Sequence, residues 1–277
     1  MLSAERALSL NAEAGKPLPR IEAFEGPHGL YTKTSTTPRH GEVIMIAGRS
    51  GTQKSGFALF WVDEMNLPTL YFSADMSAFT ASSRLASKRE RETTDGVEKA
   101  MKMGGAARAR ILESVADSKI TFSFGSPITW QQVDEELEAY VELWDIYPSV
   151  MVFDNLMDFD GVESDYKEQM AVMSGLTELA RETGSTVIVL HHASDKSWDA
   201  LKEPWMPPSR DQIKNGLSEK PELTLTVALD ADTLEYRVAT VKQRMGPSDA
   251  TARRHASLWC EPALTRFRRF DKQEVVA

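Results

Sequence analysis

Short apolar runs separated by longer amphipathic stretches set the plan of this chain. Val43-Ile44-Met45-Ile46-Ala47, Thr69-Leu70-Tyr71-Phe72-Ser73-Ala74, Ser149 to Phe153 and Ser185 to Leu190 are almost unbroken by charge. Strands buried on both faces read this way, as in a parallel sheet covered by helices. Helices are expected between them, from Lys54 to Asn66 (stopped by Pro68), Ala78 to Arg91, Ala106 to Ala116 and Ser164 to Thr183, with a further strand from Lys119 to Phe124. Thr129 followed by Gln132 predicts a capped helix whose Trp130, Val133, Leu137, Tyr140, Val141 and Trp144 share one face, a core-packing stripe. Glu92 to Gly105, with Thr93-Thr94-Asp95-Gly96 and Gly104-Gly105, reads as irregular or partly helical. Glu222 to Leu229 and Leu234 to Val241 alternate apolar and polar around Asp230-Ala231-Asp232-Thr233, which predicts a hairpin; His255 to Cys260 and Leu264 to Phe270 predict another. The expected fold is therefore α/β: a mainly parallel twisted sheet flanked by helices, with C-terminal antiparallel hairpins.

Residues 1–40 stand apart from this pattern. Leu2 to Ala14 favours helix and ends at Gly15 with Pro17 and Pro19 beyond, and Gly26 to His40 is rich in Gly, Pro, Thr and Ser. The expectation is an N-terminal helix and linker over 1–40, docked here or on a neighbour, and one globular domain over 41–277. His191 to Pro208, with Pro204, Pro207 and Pro208, is too long for a routine connection and predicts a functional loop.

Hydrophobic content of 42% and charged content of 26% are ordinary for a globular chain of 277 residues. No apolar run is long enough to span a membrane and no signal peptide is visible, so a cytoplasmic protein without membrane contact is expected. Cys260 is the single cysteine, which excludes an intrachain disulfide. A net charge of −9 argues against a surface coated in nucleic acid, since neutralised phosphates drive such binding; a local basic channel remains open.

The chemistry concentrates after the first strand. Gly48-Arg49-Ser50-Gly51-Thr52-Gln53-Lys54-Ser55 has the layout of a phosphate-binding loop, strand then glycine turn then Lys-Ser opening a helix. Backbone N–H groups and the helix dipole would cradle phosphates, Lys54 would reach the β- and γ-phosphates, and the Ser55 hydroxyl would join the shell of a Mg²⁺ ion. Gln53 departs from the motif, standing where its last glycine belongs and crowding the phosphates. Asp154, ending an apolar strand about 100 residues later, suits a Mg²⁺ partner opposite that loop. Asp75 is either a carboxylate that orients attacking water or a helix N-cap. His191 and His192 point to opposite strand faces, so a single imidazole near the γ-phosphate is expected rather than a metal pair. Lys242 and Arg244 share a face at a strand end before Gly246-Pro247, either as solvated charges or as cations reaching an adjacent subunit's nucleotide.

On these residues the chain resembles the motor domain of the RecA superfamily, most of all DnaB-type hexameric replicative helicases and phage-encoded RecA-like ATPases, from about Gly41 to Phe270. Tyr71-Phe72-Ser73-Ala74-Asp75-Met76-Ser77 is similar to a family segment ending in Glu-Met-Ser, Ser209-Arg210-Asp211-Gln212-Ile213 to the segment after the second DNA-binding loop, Lys242-Gln243-Arg244-Met245-Gly246-Pro247 to Lys-x-Arg-x-Gly-Pro, and Thr265-Arg266-Phe267 to the closing strand. The resemblance implies ATP and Mg²⁺ as cofactors, Asp75 as water-activating base with a shorter reach than the family's glutamate, Asp154 at Mg²⁺, and His192 as γ-phosphate sensor. It implies that Lys242 and Arg244 act on the next protomer's ATP in a homo-oligomeric ring of six, working on single-stranded DNA with replication or recombination partners. The implied channel loops are Met157 to Lys167 and Ala193 to Pro208. The first is acidic (Asp158, Asp160, Glu163, Asp165) apart from Lys167; the second offers Lys196, Lys202, Trp198 and Trp205, a thin basic lining. The family's primase-engaging N-terminal helical domain has no counterpart in residues 1–40. A filament-forming recombinase and a nucleotide-gated scaffold or loader stand as alternatives.

Overall fold

The computed structural model describes residues 15–162, 166–195 and 202–271. The helix expected from Leu2 to Ala14 lies outside them. Nine strands form one sheet in the order β3-β2-β4-β5-β1-β6-β7-β8-β9: β1 Val43–Gly48, β2 Thr69–Ser73, β3 Ile120–Ser123, β4 Val150–Asp154, β5 Thr186–His192, β6 Leu223–Leu229, β7 Glu235–Gln243, β8 His255–Glu261 and β9 Arg266–Arg269. Pairing is parallel from β3 through to β6 and antiparallel from β6 to β9, as the hairpin pattern predicts.

The central strands are buried on both faces, so their side chains serve two cores. Ile44 and Ile46 join Phe57, Trp61, Tyr236 and Phe267 on one side. Val43, Met45 and Ala47 join Phe72, Phe153, Met173 and Leu176 on the other. Alternation with period two is what divides one apolar strand between two layers.

The helices are α1 Leu30–Lys33, α2 Lys54–Met65, α3 Ala78–Glu90, α4 Thr94–Met103, α5 Gly105–Val115, α6 Trp130–Trp144 and α7 Tyr166–Thr183. Most follow the expected spans, and α4 makes a regular helix in a stretch read as irregular or partly helical. Thr93 caps it, accepting from Gly96 N, and Val97 and Ala100 pack with Ala86 and Ile111 in a small core of their own. Gly104 and Gly105, at φ +72° and +53°, turn the chain directly into α5. Thr129 caps α6 by accepting from Gln132 N, yet the aromatic stripe is only half used. Val133 and Tyr140 are buried, whereas Trp144 is 58% exposed and Trp130 lies across Gly175 with one face open.

The stretch Gly26 to His40, read as loop or linker, is mostly irregular but does not hang free. Just before it, Phe24 is fully buried, its ring 5.6 Å from Phe57 and 5.4 Å from Trp61. Gln243 Oε1 accepts from Thr37 N at 2.9 Å, and the Thr36 and Thr240 hydroxyls meet at 2.6 Å, stitching the strap to β7. Apolar residues spaced irregularly (Leu18, Ile21, Phe24, Leu30) carry no period, which is why the sequence pattern reads past them.

Candidate nucleotide site

The carboxyl ends of the parallel strands converge where open α/β sheets hold ligands. Gly48 ends β1 so close to β6 that a Cβ there would lie 2.7 Å from Thr52 Oγ1 and 2.8 Å from Val227 Cγ2. Gly51 turns the loop at φ +74°, and Gln53, the N-cap of α2, is also left-handed at φ 57°, ψ 30°. Glycine is the usual residue for that conformation. The Gln53 amide folds toward Gly56, where a Cβ would stand 3.2 Å from its Oε1. A glycine one turn into the helix leaves room for the Gln53 side chain to fold this way.

Lys54 Nζ bridges the loop, donating to Gly48 O at 3.0 Å and Arg49 O at 2.9 Å. Burial draws its pKa below the usual lysine value, while Asp154, Asp195 and Asp75 push it back up. Thr52 Oγ1 donates to Arg49 O at 2.8 Å and holds the turn closed, and Ser50 is exposed at its tip. The Arg49 side chain, counted with the phosphate loop from sequence, leaves it: the guanidinium donates to Pro204 O and Met206 O.

Ser55 Oγ donates to Asp154 Oδ1 at 3.1 Å, joining the start of α2 to the end of β4. Tyr71 OH donates to Asp154 Oδ2 at 3.0 Å from β2. Burial, opposed by those two hydrogen bonds and reinforced by Asp75 and Asp158, raises the Asp154 carboxyl to about 6. A hydroxyl and a carboxylate oxygen side by side fit Mg²⁺, which takes one or two protein oxygens and completes its octahedron with phosphate and water. No cluster of three or more His, Cys, Asp or Glu suited to hold a metal occurs among the described residues.

Asp75 does not cap the helix after it. Ser77 does, accepting from Thr80 N at 3.2 Å, and Asp75 Oδ2 instead accepts from Asn155 Nδ2 at 3.2 Å, beside Asp154. Of its two readings the helix cap is thus taken by Ser77, and the carboxylate stands beside Asp154. His192 lies level with Gly48 across β5 and β1, and its pKa is lowered by burial and by the charges of Lys54 and Lys214. His191 points the other way into the core; its Nε2 meets Lys214 O at 3.1 Å, and burial lowers it to about 4, so it is neutral at pH 7.

Lys242 and Arg244 stand elsewhere. Arg244 N donates to Glu222 O and Glu222 N to Val43 O, so these cations are level with the start of β1, not its end. Five residues of strand, roughly 16 Å, separate that level from Gly48. Arg244 is half-exposed, with Nε 3.9 Å from Glu222 Oε1 and Nη2 donating to Lys220 O at 3.4 Å. Lys242 Nζ donates to Glu219 O at 2.5 Å, and burial with the neighbouring Arg244 and Arg210 lowers it to about 8.

Of the implied channel loops, Asp158 and Asp160 lie on the described part of the first, where Asp158 Oδ2 accepts from Asn155 N at 2.9 Å. Lys202 and Trp205 lie on the described part of the second. Glu163, Asp165, Lys196 and Trp198 are outside the described residues. Sequence reading missed Lys214, Tyr71 and Asn155; only Asn155, next to Asp154, carried a local signal.

An AAA domain family model matches residues 38–197. The Gene 65 protein of Mycobacterium phage L5 is 31% identical over 269 residues, covering 93% of this chain and 95% of that protein. The Gene 65 protein of Mycobacterium phage D29 is 31% identical over 234 residues, covering 78% and 94%. Among solved structures, a DnaB-like replicative helicase described with its primase interactions superposes at TM-score 0.74 and 14% identity, over 98% of this chain and 67% of that one. A solved ATPase domain gives 0.69 and 15%, over 83% and 85%, and the KaiC-like protein PH0186 of Pyrococcus horikoshii OT3 gives 0.57 and 14%, over 92% and 100%.

Proposed function

The chain belongs to the AAA domain family and is a P-loop NTPase of the RecA-like fold, and on that premise we propose that it is a Mg²⁺-dependent ATPase working as a ring, most simply of six subunits, on single-stranded DNA. One observation carries the reading. The phosphate loop, Asp154, Asp75 and His192 sit at one end of the sheet while Lys242 and Arg244 sit at the other. Cations that cannot reach their own nucleotide are well placed for a neighbour's, so each site is built from two subunits. The loop from Gly48 to Ser55 holds the phosphates, with Lys54 leaving its two carbonyls for phosphate oxygens. Ser55 and Asp154 hold Mg²⁺, which when bound neutralises charge on the β- and γ-phosphates. Asp75, held by Asn155, accepts the proton of the attacking water, and His192 contacts the γ-phosphate.

ATP turnover measured against single-stranded DNA concentration, with strand displacement read in the same salt series, tests this proposal. Stimulation that fades with salt, together with displacement, is expected; turnover indifferent to DNA would reject the motor. The described residues of the first channel loop, 157–162 and 166–167, hold Asp158 and Asp160 against a single cation, Lys167. That favours, as a second reading, a nucleotide-gated scaffold whose assembly responds to ATP without translocation. Under it, light scattering would follow nucleotide while turnover ignored DNA.

A further inference from the structure

Arg49 follows the last residue of β1, yet its side chain is 6% exposed and spends its donors on a turn 155 residues away. Nη1 donates to Pro204 O at 3.3 Å and Met206 O at 2.9 Å, and Nη2 to Gln212 Oε1 at 3.5 Å. The carbonyl between them, Trp205 O, accepts from Arg237 Nη1 of β7 at 3.0 Å. Three successive carbonyls of one turn therefore face two guanidiniums. Met206 N closes the turn on Glu203 O at 2.9 Å, and the Glu203 carboxylate is 3.4 Å from Arg253. Trp205 itself stays 41% exposed at the tip.

A guanidinium offers five donors in a rigid planar fork, so bridging two carbonyls transmits orientation as well as charge. The Arg49 backbone lies inside the phosphate loop, and its carbonyl is one of the two that Lys54 holds. When Lys54 turns to phosphate, Arg49 O keeps Thr52 Oγ1 but loses one of its two donors, which loosens the backbone at the base of its side chain. We propose that Arg49 is a positioning residue that ties the phosphate loop to the Glu203–Met206 turn, so that nucleotide occupancy sets the position of Trp205. Trp205 then presents or withdraws a flat aromatic face of the kind on which unpaired bases stack. This inference rests on the nucleotide-binding reading above and gives the site a physical connection to its second loop.

The test combines calorimetry with tryptophan fluorescence, using Trp205→Phe to subtract the other tryptophans. In the wild-type chain, saturating ATP with Mg²⁺ changes the emission by a component that Trp205→Phe lacks. In Arg49→Ala, measured at its own saturating nucleotide, that component shrinks at least about fivefold. Arg49→Lys, which keeps the charge but not the fork, gives the same comparison should the alanine variant not fold. A full Trp205 signal in either variant would overturn the inference. So would calorimetric binding by the wild type with a silent Trp205, or loss of nucleotide binding in a folded Arg49→Lys, which would make Arg49 part of the phosphate grip itself. A wild-type chain that shows no calorimetric binding at all rejects the nucleotide reading first, and the inference with it.

Discussion

Gln53 holds a left-handed conformation in the middle of the phosphate loop, with its amide parked beside Gly56. Left-handed backbone costs a side-chain-bearing residue roughly 1–2 kcal/mol, and glycine returns up to about 1 kcal/mol of that as chain entropy. Gln53→Gly should therefore stabilise the chain by about 0.5 kcal/mol, read as a higher urea midpoint with unchanged slope. Asp154 makes a pH prediction. Its folded-state value of about 6 lies above the ordinary 3.8, so the carboxyl is protonated in the free protein below about pH 6. Mg²⁺ needs the carboxylate, so calorimetric affinity for Mg²⁺ with ATP should fall as pH drops through 6, with a proton released on binding; Asp154→Asn should flatten that profile. In the metal-free chain the same shift costs stability as pH rises from about 4 to 6. The loop, Asp154 and their order were legible because they are contiguous or end an apolar strand. Arg49's outward side chain and Lys214 were not, since their contacts cross well over a hundred residues and leave no local spacing to read.

Among elements, the strap before β1 shows what pattern reading overlooks. Periodicity finds helices and strands, and Phe24 sits in neither a heptad nor an alternating run, though it fills a gap between Phe57 and Trp61. Phe24→Ala should cost about 3–5 kcal/mol, measured by urea unfolding, whereas a mere tether would lose nothing measurable. The helix α4 was only half legible, its stretch reading as irregular or partly helical, for a different reason. Thr94-Asp95-Gly96 is turn chemistry by composition, but Thr93 accepts from Gly96 N and converts the same residues into a first helical turn. The parallel strands and both hairpins were plain in the sequence because burial on two faces and strict alternation are each a strong signal. The stripe on α6 was half right, since shared spacing names a face without saying how wide the covered part is.

At the scale of the whole molecule, the proposed division of the site between neighbours would make activity a property of pairs. Lys54→Ala should abolish hydrolysis, as checked by phosphate release, at every DNA concentration. Arg244→Ala should inactivate the neighbour's site and leave its own phosphate loop intact, so mixing two inactive proteins, Arg244→Ala and Lys54→Ala, should restore part of the activity. Mixtures that stay inactive would reject the role of Arg244 in trans. The strand that carries these cations also carries Arg237, whose guanidinium holds Trp205 O near the opposite end. Nine residues of β7 span about 30 Å. It pairs with β6 over Tyr236–Gln243, with one register irregularity, and with β8 over Glu235–Ala239, so a displacement delivered at Arg237 has a bonded strand along which to reach Arg244. In the proposed ring, whatever occupies one protomer's loop would then be felt at the doorway of the protomer beside it, and turnover would pass round the assembly in a fixed rotational sense rather than at random.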